Sequence, residues 1–180
     1  VLPNDTYATQ LWGLLGAADG SPYGIDARAA WATTTGVGAV VAVLDTGLVA
    51  HIDLAGQAVA GYDMISDVGI ANDGDGRDAD ASDPGDWISG VTDSSWHGTH
   101  VAGTIAALAG NGIGVFGGAP GVRIQPVRVL GAGGGYSSDI ADGIRWAAGG
   151  SLPGVPSNAT PARVLNLSLG GASDTCPGEF

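Results

Sequence analysis

The segment Gly38-Ala-Val-Val-Ala-Val-Leu44 is apolar throughout, with no alternating polar position to form a wet face. That pattern predicts a strand covered on both sides, as in a parallel sheet. It breaks off at Asp45-Thr46-Gly47. Val101, Ile105 and Leu108 recur at helical spacing, predicting a helix that starts near His97 and is closed by Gly110. Val122 to Leu130 reads as a second strand. Ser137 and Ser138 can cap a helix with Asp139 and Asp142 in its first turns and Ile140, Ile144 and Ala147 on one face, ending at Gly149-Gly150. Ala162 to Leu167 is a third strand. This alternation predicts an α/β fold with right-handed crossovers and a parallel sheet carrying helices on both faces. Catalytic groups then belong at the carboxyl ends of the strands.

Two regions lack this periodicity. Residues 1–36 are polar, aromatic and turn-rich, with one short helical stretch around Ala27 to Ala32, and read as an arm packed on a core. From Asp63 to Asp93 there are nine Asp residues opposed only by Arg77, interspersed with Gly and Pro. This 63–93 stretch is expected to be a long surface loop, functional or metal-bound.

Length and composition suit one domain: 180 residues, 44% hydrophobic, with 33 glycines spread between apolar runs. The formal net charge is −12, and 17 of the 18 acidic residues are Asp, against six Arg and no Lys. So acidic a chain is not a nucleic-acid binder. Asp favours turns and oxygen cages for hard cations. No apolar run near the start is long enough to cross a bilayer, and Val1 to Gln10 lacks the basic-then-apolar pattern of a signal peptide, so the chain reads as soluble, already processed and without a membrane partner. Cys176 is the lone cysteine.

Asp45-Thr46-Gly47 by itself fits an ordinary turn or the paired carboxylates of an aspartic protease. The helix and parallel-strand pattern that follows argues against the all-β second option. His97-Gly-Thr-His-Val-Ala-Gly-Thr104 is more specific: a His opening a helix, followed by small residues that let other backbone approach the imidazole. His97 and His100 lack a third ligand for zinc. His100 reads as a hydrogen-bonded structural residue.

Val41-Ala-Val-Leu-Asp-Thr-Gly47, Ser95-Trp-His-Gly-Thr-His-Val-Ala-Gly-Thr104, Asn111-Gly-Ile-Gly-Val-Phe-Gly-Gly-Ala-Pro120 and Asn166-Leu-Ser-Leu-Gly-Gly171 together resemble the subtilisin-like serine proteases, in family order. The resemblance implies a serine endopeptidase working through an acyl-enzyme, with Asp45 as the triad carboxylate and His97 as general base. The family's nucleophile segment does not occur here, so the Ser is expected beyond this chain, on a C-terminal remainder. Residues 1–180 would then be the N-terminal part of a single catalytic domain, its sheet incomplete and the chain inactive alone. The rival is a non-catalytic calcium-binding or peptide-binding fragment.

Gly133, Gly134, Gly135 and Ser168, Leu169, Gly170 resemble the two edge segments between which the family holds an extended peptide of its substrate. The family's calcium site implies Asp19, Asp53, Leu108, Asn111, Ile113 and Val115 as ligands, mostly through carbonyls. A second calcium site is suggested by Asn72-Asp-Gly-Asp-Gly-Arg-Asp-Ala-Asp80, with Asp73, Asp75, Asp78 and Asp80 preferred and Asp63 and Asp67 in reserve. Secretion is expected, and with it a disulfide from Cys176 to a Cys further along the protein.

Overall fold

The computed structural model describes residues 2–171; Cys176 and its expected disulfide lie outside them. Four strands form one parallel sheet: β1 (Val40–Asp45), β2 (Tyr62–Asp63), β3 (Arg123–Arg128) and β4 (Val164–Asn166), in the order β2-β3-β1-β4. The α/β architecture is as the sequence predicts, with slightly shorter strands.

Side-chain alternation along β1 explains the two-sided burial. Val41 and Val43 pack with Ala102 and Ala106 of helix α3 (His97–Ala106), while Ala42 and Leu44 pack with Trp146 and Ala147 of helix α4 (Ser137–Ala147). A helix therefore covers each face. Asp45 continues the odd-numbered side of β1, toward α3. The register pairs Asp45 with Arg128, and Arg128 with Asp63, so these three residues form a row across the carboxyl end of the sheet.

The N-terminal arm packs against the loop after α3. It carries the short helix α1 (Ala27–Trp31), and its Ala8 and Leu15 form a separate small core with Phe116. Trp31 meets Phe116 edge-on at 5.4 Å and donates from Nε1 to Gly118 O at 2.8 Å.

The 63–93 stretch departs from its reading as unpacked loop. Asp63 lies in β2 and is fully buried, Met64 and Ile65 are buried behind it, and Asp67 caps a short helix, α2 (Val68–Ala71), through Gly69 N at 2.8 Å. The physical reason is Arg128: its buried guanidinium pairs with Asp63 and, at 2.6 Å, with Asp73, and donates to Ala71 O. A cation inside the fold draws acidic chain inward.

Candidate active site

β1 delivers Asp45 to the carboxyl edge of the sheet, where its side chain has no solvent exposure. Its Oδ1 accepts Thr46 N–H at 2.8 Å. His97 opens α3 directly opposite, and its Nδ1 stands 2.9 Å from both Asp45 oxygens. With Nδ1 facing the carboxylate, Nε2 is the nitrogen left for other chemistry, on an imidazole that is 45% exposed.

The sequence Asp-Thr-Gly meets His-Gly because the two backbones touch. A Cβ on Gly98 would lie 2.3 Å from Gly47 O, so only glycine lets the helix start this close to the strand end. Thr46 adds the staple: its hydroxyl accepts Gly98 N–H at 3.0 Å and donates to Asp83 Oδ2 at 2.6 Å. Thr99 Oγ1 accepts Val49 N–H at 3.0 Å, closing the loop after Gly47.

The two glycine-bearing segments leave the sheet from β3 and β4, the strands flanking β1, so both emerge at the Asp45 end. Gly131 and Gly134 exchange backbone hydrogen bonds at 2.8 and 3.0 Å, making a tight turn in which Gly133 and Gly134 take positive φ. Ser168 and Gly170 are exposed, while Leu169 leans on the core beside α4. His100, read as hydrogen-bonded, makes no side-chain hydrogen bond among the described residues and lines an apolar cleft of about 1160 Å³ between the arm and α3.

Loop 108–115 folds around the buried Asp53. Asn111 Nδ2 donates to Asp53 Oδ1 at 2.8 Å and Val115 N–H to Oδ2 at 2.9 Å; a Cβ on Gly114 would fill the cradle, 2.4 Å from Oδ2. The two early acids find different partners in the structure. Asp19 is taken up by Arg28, and the side chain against the loop is Asp5, 4% exposed, accepting Gly110 N–H at 2.9 Å and Asn111 N–H at 3.2 Å. The next residues extend the contact, Thr6 Oγ1 to Gly112 O and Tyr7 N to Gly114 O. Among the described residues the carbonyls of Leu108, Ile113 and Val115 accept no hydrogen bond. The Asp5 and Asp53 carboxylates, the Asn111 amide and the unbonded carbonyls along this loop offer oxygen donors, the type a hard cation takes.

The residues of the suggested second site do not converge. Asp73 pairs with Arg128, Asp78 Oδ1 accepts Asp80 N–H at 2.8 Å, Asp80 Oδ1 accepts Ser82 N–H at 2.9 Å, and Asp75 is exposed. No three His, Cys, Asp or Glu side chains form a metal cluster among the described residues.

The subtilase family model matches residues 36–180. The chain belongs to the subtilase family. This subtilase chain is 51% identical to an extracellular protease of Xanthomonas campestris pv. campestris and 49% identical to an extracellular basic protease of Dichelobacter nodosus, each match covering 94% of the chain. It spans only 30% and 29% of those two proteins. A solved protease of Pseudoalteromonas arctica superposes with a TM-score of 0.91 at 50% identity, covering 99% of this chain and 53% of that one. No helix among the described residues of the subtilase chain is long and apolar enough to cross a membrane.

Proposed function

We propose that this chain supplies the acid–base half of a secreted serine endopeptidase whose nucleophilic Ser lies on a C-terminal remainder of the protein. The observation that carries the reading is the Asp45–His97 pair, with Nδ1 at 2.9 Å from both carboxylate oxygens and the far side of the imidazole open. Asp45 fixes the tautomer that leaves Nε2 unprotonated and stabilises the imidazolium once formed. His97 then takes the proton of the attacking Ser and returns it to the leaving amine. The peptide substrate adds as an extended strand between residues 133–135 and 168–170, whose small residues keep side chains out of its path.

Calcium is the proposed cofactor, held by Asp5, Asp53, Asn111 and the carbonyls of Leu108, Ile113 and Val115; when bound it tethers the N-terminal arm to the loop after α3. The test is covalent labelling of the full-length protein with phenylmethylsulfonyl fluoride. One labelled Ser outside residues 1–180 supports the proposal, and labelling at any Ser within them contradicts it.

A further inference from the structure

His97 stands at an unusual helix start. Trp96, immediately before it, has φ 52, the left-handed region, and offers no side-chain cap. A bulky residue is strained there, so the surrounding structure must hold it. The hold comes from the far end of the acidic stretch. Asp86 Oδ1 accepts Ser95 N–H at 2.6 Å and its Oδ2 accepts the Ser95 hydroxyl at 2.7 Å; Ser95 Oγ in turn accepts His97 N–H at 3.3 Å.

On the other side of His97, Gly98 N–H reaches Thr46 Oγ1, which donates to Asp83 Oδ2, while Asp83 Oδ1 accepts Gly85 N–H at 2.8 Å. Asp83 is 6% exposed and is itself anchored to the loop after β1, its N–H donating to Leu48 O at 3.3 Å. The segment fits tightly: Gly85 has φ 106, and a Cβ there would stand 2.3 Å from Ser94 Oγ.

We infer that Asp83-Pro84-Gly85-Asp86 is a clamp whose two carboxylates act as positioning residues, fixing the turn before His97 and the backbone after it so that the ring meets Asp45. Carboxylates suit the role because charge-assisted acceptors are roughly twice as strong as neutral ones and sit favourably at a helix N-terminus. Burial pulls Asp86 upward, yet the Ser95 hydrogen bonds and nearby His97 leave its carboxyl below the usual carboxylate range, as an acceptor in constant use requires.

The inference rests on the proposed peptidase reading, and its test separates the two. In the full-length protein, Asp86→Ala should lower kcat per titrated active site by about 10- to 100-fold, the scale of a sub-ångström to 1 Å misplacement, with KM within about twofold. Asp86→Asn, which can still accept from Ser95 N–H and donate to its hydroxyl, should recover most of that loss. Ser95→Ala, which keeps the backbone bond, should show a smaller fall and serves if Asp86→Ala does not fold. Unchanged kcat in Asp86→Ala or Ser95→Ala, even with a lowered Tm, overturns the clamp. If the wild-type protein hydrolyses no peptide, the peptidase reading fails, and proton NMR of the His97 Nδ1–H still decides the clamp. Its low-field signal should persist in wild type and Asp86→Asn and broaden in Asp86→Ala. Equal signals in all three overturn the inference.

Discussion

Arg128 and Asp63 face each other across adjacent parallel strands with both side chains shut off from solvent, at 1% and 0% exposure. A buried cation has no escape to water, so its partners are obligatory; breaking such a pair from one side typically costs about 3–5 kcal/mol. Arg128→Met, which removes the cation and leaves Asp63 unpaired, is expected to destabilise the protein by that amount at pH 7, measured by denaturant unfolding.

The same pair sets a pH dependence. Burial pushes Asp63 up to about 6 from its ordinary 3.8, against the pull of the Ile65 N–H and Arg128. Because the folded state holds this proton more tightly, the group's favourable contribution is complete below pH 3.8 and is lost as pH rises through 6. Without Arg128 the folded value moves higher still. The Arg128→Met defect should therefore shrink between pH 7 and pH 5, and a defect that is flat or grows on acidification contradicts the assignment.

Calcium should stabilise the protein through the Asp5–Asp53 loop. A ligand at a hundredfold excess over its Kd adds about 2.7 kcal/mol when it binds only the native state. Thermal melts in EDTA and in millimolar calcium should differ, the difference should vanish in Asp5→Ala, and it should survive in Asp19→Ala.

Gly98→Ala places a methyl 2.3 Å from Gly47 O and 3.2 Å from Asp45 Cβ. The Gly47 backbone and the Cβ of the buried Asp45 leave nothing flexible to yield, so α3 must move off the strand end. Peptidase turnover of the full-length protein should fall by about 10²-fold, with a stability loss of about 1–3 kcal/mol, read from kcat and from unfolding midpoints.

The closeness of Asp45 and His97 was legible through the resemblance of their two motifs, Asp45-Thr-Gly47 and His97-Gly-Thr-His100, to the subtilisin-like proteases; Asp-Thr-Gly alone left a turn or a paired carboxylate open. Their supports were not. Asp83 reaches Thr46 across 37 residues and Arg128 reaches Asp63 across 65, and no periodicity records which of nine Asp residues will find a partner. The two-residue β2 is too short to leave a pattern, and it exists through its pairing with β3. Asp5 and Asp19 are both isolated acids in a turn-rich arm; the path of that arm, laid along loop 108–115 by Thr6 and Tyr7, is what brings Asp5 against the loop.

The central claim is that Asp45 and His97 act as one acid–base unit in peptide hydrolysis. Triad deletions in subtilisin lower turnover by about 10⁴- to 10⁶-fold, and removing a second member of the unit costs little more. The decisive measurement is kcat for peptide cleavage by the full-length protein and its Asp45→Ala, His97→Ala and double variants. Each single variant should fall by about 10⁴-fold or more, with the double variant no worse than the poorer single one. Turnover within about tenfold of wild type in His97→Ala, or losses in the two single variants that multiply in the double, would contradict the account.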